Sequence, residues 1–311
     1  MRFQVLGPLE VRSESRDVTP SAPKVREVLA LLLLHHDHIV QSRTLIDELW
    51  GQEPPPSALA TLQTYIYKLR KILAVETPQD ALRTKAYGYV MTVSPDDLDH
   101  LRFERLLAEG QADFEAGRTE RATAVLGRAL DLWHGPALAD VDCGPILSAE
   151  ATRLNERRLR ALEMRVDADL LLGRHQELIS ELRRLTSAHP LHEVFHAKLM
   201  MALYGSGRRS EALDVYQELR NTLVEELGLE PSGSLVRLHQ SLLSSDWTPE
   251  PLVPYLNGAG HGDDPVRLTS GNRSAANPAD PRTDAAAAAS VAGDPATPGS
   301  ANAGTPTEGP A

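Results

Sequence analysis

The chain has 311 residues, enough for about two domains of ordinary size, and its 41% hydrophobic and 24% charged content describes a globular protein. No apolar run approaches the roughly 18 residues of a membrane span, no signal-peptide core follows Met1, and the single cysteine, Cys143, excludes an internal disulfide framework, so a cytoplasmic protein with no membrane association is expected. The net charge of −11 would repel phosphate if it were spread evenly, and so at first argues against nucleic acid.

Residues 2–12 alternate apolar and other side chains (Phe3, Val5, Gly7, Leu9, Val11), the period-2 pattern of a half-buried strand pair turning near Gly7-Pro8. Asp17-Val18-Thr19 could add a short third strand. Ser21 is placed to cap a helix with Pro23 in its first turn, running through Val25, Val28, Leu29, Leu31 and Leu32 and fading at His36. Ser42 is a second N-cap position, opening a helix that Gly51 closes. Glu53-Pro54-Pro55-Pro56 is a stiff loop that cannot be helical. Ser57 then caps a third helix reaching about Leu73, and Leu82–Lys85 and 89–93 flank Ala86-Tyr87-Gly88 as a hairpin with a glycine turn. Strands, three helices and a terminal hairpin make an α+β winged helix-turn-helix over residues 1–95.

In the third helix Leu59, Leu62, Ile66, Leu69 and Leu73 fall at spacings of three and four and should form the buried stripe. The opposite pole carries Ser57, Ala60, Thr61, Thr64, Tyr67, Lys68 and Lys71, with Gln63 and Arg70 on a flank. Small residues permit close approach to a groove, Thr64 and Tyr67 can bond base edges or phosphates, and the lysines suit backbone phosphates. A polar helix face is ordinarily just solvated; here no acidic residue occurs from Ala58 through Val75. Arg83, Lys85, Tyr87 and Tyr89 would serve a wing that clamps phosphate or enters the minor groove. Ser42, Arg43 and the adjacent helix N-terminus could anchor a phosphate.

From Asp97 to about Asp246 the pattern is helical throughout. Gly117-Arg118, Gly173-Arg174 and Gly207-Arg208 recur, the last two 34 residues apart, which is the tetratricopeptide period. Positions five, nine and twelve after each glycine hold Ala122, Leu126, Ala129; Leu178, Leu182, Leu185; and Ala212, Tyr216, Leu219, a common buried stripe. Residues 96–246 are therefore read as an all-α repeat domain, of the kind that presents concave surfaces to partners. Residues 247–311 contain 14 Ala, 10 Pro and 8 Gly but only 6 Leu, Ile, Val or Phe, too few to offset chain ordering; a disordered tail is expected, with at most fleeting helix at 285–289. The three segments carry net charges of +1, −8 and −4. Salt screens charge beyond roughly 8–10 Å, so a locally basic head can bind DNA while an acidic body suppresses nonspecific association.

The chain resembles the Streptomyces antibiotic regulatory protein family, an OmpR-like winged helix followed by a bacterial transcriptional activation domain. The resemblance is carried by residues 61–70, by Tyr87-Gly88-Tyr89, by residues 132–140, by Glu211-Ala212-Leu213-Asp214-Val215-Tyr216 and by residues 226–231, and covers about residues 2–245. It implies activation of a secondary-metabolite gene cluster, binding to direct repeats in double-stranded promoter DNA, head-to-tail self-association on that DNA, recruitment of RNA polymerase holoenzyme, and a Pro54–Pro56 loop that faces the polymerase. It implies no cofactor. The sheet begins at residue 2, so no direct phosphorelay control is expected, and without a G-x-x-x-x-G-K-[ST] run neither is an ATPase module.

Two other readings compete. The groove contacts would equally serve a repressor, or a scaffold that carries a DNA-binding module. His192-Glu193-Val194-Phe195-His196 matches H-E-x-x-H, the zinc metalloprotease pattern, with Glu218 available downstream as a third ligand. The extended form of that motif needs Gly and His where Leu199 and Ala202 stand, and Phe195, Leu199 and Ala202 fit the inward face of a repeat helix better. No catalytic or metal-binding residues are assigned, and Cys143 is read as a packed thiol without clustered ligands.

Overall fold

A computed structural model describes residues 1–13, 16–74 and 81–244. The strands β1 (Arg2–Gln4), β2 (Glu10–Ser13) and β3 (Arg16–Asp17) form an antiparallel sheet in that order, with Phe3 opposite Val11. The helices α1 (Pro23–Leu34), α2 (Ser42–Trp50) and α3 (Ala58–Leu73) follow, with the two-residue strand β4 (Val40–Gln41) leading into α2. The hairpin of β5 (Leu82–Lys85) and β6 (Gly88–Met91) closes a second sheet in the order β4-β6-β5. The rest is helical: α4 (Asp99–Glu115), α5 (Thr119–Leu130), α6 (Pro145–Leu171), α7 (His175–Ala188), α8 (Glu193–Gly205), α9 (Arg209–Leu227) and α10 (Gly233–Ser244). The alanine- and proline-rich tail expected to be disordered lies outside the described residues.

The repeat positions hold. Gly117, Gly173 and Gly207 sit in the α4–α5, α6–α7 and α8–α9 turns with φ of +71°, +75° and +78°, a left-handed conformation that glycine adopts without steric cost. The matched side chains are buried in the second helix of each pair, except that Leu185 is only partly so.

Several local expectations need correction. The N-cap of α1 is Ala22 and that of α2 is Gln41; neither Ser21 nor Ser42 provides a side-chain cap, and Ser57, although it stands at the N-cap of α3, makes no side-chain cap bond either. The inward stripe of α3 begins at Ala58 rather than Leu59, which is 51% exposed. The wing turns at Ala86-Tyr87, and Gly88 is already the first residue of β6, opposite Lys85 and Gln41. A Cβ on Gly88 would lie 2.0 Å from the Val40 carbonyl oxygen, so glycine is required for the close approach of β4 and not for the turn.

The hydrophobic cores do not divide near residue 95. One runs from Phe3 to Ala161 and joins the strands, α1–α3 and the wing to α4, α5 and the first half of α6; a second runs from Val166 to Leu242. The first is stitched by polar contacts across the chain. Both Asp99 carboxylate oxygens accept from Val5 N–H at 3.0 and 2.9 Å, and Oδ2 also accepts from Leu6 N–H at 3.0 Å. His134, Leu138 and Ala139 N–H donate to the carbonyls of Leu6, Val5 and Gly7, and Leu9 N–H donates to Asp140 at 2.7 Å.

Candidate nucleic-acid interface

The helix α3 presents Leu59, Ala60, Gln63, Thr64, Tyr67, Lys68 and Lys71 to solvent, with Thr61 half-buried, while Leu62, Ile66, Leu69 and Leu73 hold it to the core. Tyr67 is 68% exposed. The Thr64 hydroxyl donates to the Ala60 carbonyl at 3.0 Å, which leaves its lone pairs directed outward as acceptors. Lys68, Lys71 and Lys85 have no carboxylate partner among the described residues, so their charge is uncompensated locally. Leu59 is exposed although its spacing fits the buried stripe: 58-62-66-69-73 and 59-62-66-69-73 fit a helix equally, and it is the smaller Ala58 that turns inward.

The wing is held against this face by Arg70. Its guanidinium donates to the Leu82 carbonyl at 3.0 Å and to the Thr84 hydroxyl at 2.7 Å, so it braces α3 on β5. Arg83 is exposed and donates to Thr92 at 3.3 Å, while Lys85 and Tyr87 project from the tip, Tyr87 at 82% exposure. Tyr89 is only 6% exposed and lies in the first core. Every residue of β6 is buried where it pairs with β4 and β5, Tyr89 included, and a ring so placed does not present the DNA contact expected of it. Ser42 N–H donates to the Tyr87 carbonyl at 2.9 Å, so that amide of the α2 N-terminus is spent on the wing. The Arg43 side chain is 90% exposed and 3.8 Å from Asp47. Pro54 and Pro56 are exposed and Pro55 half-buried in the loop before α3.

The H-E-x-x-H residues are occupied otherwise. His192 is the N-cap residue of α8, its ring stacks on Phe195 with centroids 4.4 Å apart, and its Nε2 lies 3.3 Å from Glu163. The Glu193 carboxylate accepts from Ser232 N–H at 2.9 Å. His196 is buried with Nδ1 3.2 Å from the His192 carbonyl, and burial lowers the pKa of both imidazoles. Glu218 is exposed on α9, and Phe195, Leu199 and Ala202 are buried. Among the described residues no three His, Cys, Asp or Glu side chains are grouped so as to hold a metal ion. Cys143 is half-buried and donates to the Val141 carbonyl at 3.4 Å; burial, then Glu48, Glu27 and Asp142, raise its thiol pKa.

Comparison with known proteins agrees with this layout. Residues 17–91 match the model of the transcriptional regulatory protein C-terminal domain, and residues 98–243 match the bacterial transcriptional activator domain. Regulatory protein DnrI of Streptomyces peucetius is 45% identical over 253 residues, covering 79% of this chain and 93% of that protein. The chain belongs to the Streptomyces antibiotic regulatory protein family. Regulatory protein AfsR of Streptomyces griseus is 42% identical over 79% of this chain, which spans only 25% of that longer relative. The structure of Mycobacterium tuberculosis EmbR, solved in complex with a low-affinity phosphopeptide, matches with a TM-score of 0.77 at 32% identity, covering 83% of this chain and 69% of that one. As a member of the family the chain is a DNA-binding transcriptional activator with a tetratricopeptide-like activator domain, and the family is one of regulators rather than enzymes. Among the described residues no helix is long and apolar enough to cross a membrane.

Proposed function

We propose that this regulator acts in the cytoplasm, on the nucleoid, by seating α3 in the major groove of promoter DNA with its wing on the flanking backbone, and that it activates a secondary-metabolite gene cluster. The observation that carries this reading is the exposed, acid-free face of α3, lined by Gln63, Thr64, Tyr67, Lys68 and Lys71 and flanked by Lys85 and Tyr87. In this reading Thr61, Gln63 and Thr64 approach base edges, while Lys68, Lys71, Arg83, Lys85 and Arg43 neutralise phosphates. Arg70 serves by fixing the wing to α3 rather than by reaching the groove. Two copies bind head-to-tail on direct repeats, and the Pro54–Pro56 loop faces RNA polymerase holoenzyme.

Footprinting on the promoters neighbouring the chain's own gene, paired with in vitro transcription, tests this. Protection of direct repeats about one helical turn apart and increased transcript are expected. An inverted-repeat footprint would contradict head-to-tail binding, and a fall in transcript would make the protein a repressor at that site. Thr64→Ala with Lys68→Ala should abolish the footprint and leave the thermal melt unchanged; undiminished protection would remove α3 from the interface.

A further inference from the structure

The 27-residue helix α6 begins without a cap of its own. Its N-cap residue is Gly144, with no side chain to offer, and Asp142 two positions earlier is 81% exposed and unused for the purpose. The cap comes from Glu48 on α2. The Glu48 side-chain oxygens accept from Ile146 N–H at 2.9 Å and from Leu147 N–H at 2.8 Å, 98 and 99 positions along the chain. The carboxylate meets the positive end of the α6 dipole in a buried setting, where such a contact is strong. The approach is close: a Cβ on Gly144 would lie 2.6 Å from the Glu48 carbonyl oxygen and 2.7 Å from its carboxyl carbon. On its other side α2 packs on α3, where Trp50 and Tyr65 stack with ring centroids 6.4 Å apart.

A local Ser or Asp at position 144 would satisfy the same amides. Glycine there, with a carboxylate supplied from α2, ties the longest helix of the repeat domain to the helix that supports α3. We propose that Glu48 is a positioning residue for DNA recognition, fixing α3 to the start of α6 so that DNA bound at α3 is registered at the α6 N-terminus. This rests on the DNA-binding reading of α3. By reciprocity, a ligand that shifts α6 and changes DNA affinity by some factor has its own affinity changed by bound DNA by that same factor. Glu48 touches no DNA in this scheme; it acts through α2 and α3.

The experiment is hydrogen exchange of the full chain, free and bound to a duplex carrying its footprinted site. Bound DNA should slow exchange of the Ile146 and Leu147 amides about fivefold or more. Glu48→Gln should abolish that response and weaken DNA binding about fivefold, with the α3 surface residues unchanged. Gly144→Ala keeps Glu48 but drives a methyl group against its backbone carbonyl and its carboxylate, and should give the same loss if Glu48→Gln fails to fold. A full chain that gives no footprint overturns both readings. A footprint without slowing at residues 146–147, or slowing that survives both substitutions, overturns the role of Glu48 alone.

Discussion

The two hydrophobic cores are built in opposite ways. The first, from Phe3 to Ala161, closes through contacts between segments roughly a hundred residues apart, such as Asp99 with Val5 and Leu6 and Asp140 with Leu9. The second, from Val166 to Leu242, is a stack in which α7 packs on α8 and α8 on α9, each helix meeting its sequence neighbours. A nearest-neighbour stack can lose its end and keep its beginning. A core closed by distant segments cannot be cut between them. The DNA-reading part should therefore depend for its fold on the start of the activator domain, although the family models place a boundary between residues 91 and 98.

Truncation gives the largest expected effect. A fragment of residues 1–95 loses the partners of Val5, Leu6 and Leu9 N–H and exposes Phe3, Val5 and Leu6, and it should show no cooperative thermal melt by circular dichroism. A fragment of residues 1–171 keeps the whole first core and should melt cooperatively and retain the footprint. A cooperative melt for 1–95 would break the comparison.

Next in size is Lys198→Met. Lys198 and Asp167 form a fully buried ion pair in the second half of the chain, and burial raises the Asp167 pKa to about 6 against the opposing pull of Lys198. Removing one partner of a buried pair costs about 3–5 kcal/mol, whereas replacing both with apolar groups is often neutral. Denaturant unfolding of Lys198→Met should show the loss, and the double variant with Asp167→Leu should recover most of it. If the cores are separable the loss falls on one of two transitions and leaves DNA affinity unchanged; equal loss in both would mean a single cooperative unit.

How much of this was legible in the sequence follows the same division. The repeats were readable because the turn glycines and buried positions recur at fixed offsets, a local signal. The exposed face of α3 was readable from helical spacing and from the missing acidic residues. The shared first core was not, since a contact between residues 5 and 99 leaves no periodicity. The wing was half-readable: the strands and Tyr87 were placed, but Gly88 answers to β4, a strand of two residues contributed from 47 positions upstream (Gln41 opposite Gly88), and the same pairing takes Tyr89 inside.

That last contrast sharpens into a pair of variants at the edge of the first core. Tyr89→Ala removes a buried ring and should cost about 3 kcal/mol or more in thermal unfolding, by analogy with other large-to-small core changes. Tyr87→Ala, at 82% exposure, should leave stability within about 0.5 kcal/mol and weaken DNA binding several-fold by gel shift. A reversal of the two phenotypes would place Tyr89 back on the DNA.

The smallest effect separates the cores by pH. Burial in the first core, then His36 and Arg153, pushes the His100 pKa from 6.5 down to about 3. The unfolded chain thus takes up a proton below pH 6.5 that the folded chain refuses, so His100 favours the fold above pH 6.5 and this advantage is lost progressively as pH falls toward 3. Neighbouring Asp99 acts with the opposite sign: burial raises its folded pKa from 3.8 to about 6, so acidification across that interval favours the fold. The two adjacent residues thus oppose each other as acid is added, buried Glu27, whose pKa is also raised by burial, acts in the same sense as Asp99, and His100→Gln removes the opposing imidazole. Between pH 7 and pH 5 the wild-type 1–171 fragment should lose more thermal stability than its His100→Gln variant. In the second core His175, His192, His196 and His239 are also lowered by burial, so its acid response should be the same with or without the substitution in the full chain. Equal pH slopes for 1–171 and its variant would mean that His100 is protonated in the folded state, and that its contact with His36 in the turn after α1, with ring centroids 5.8 Å apart, is open to water.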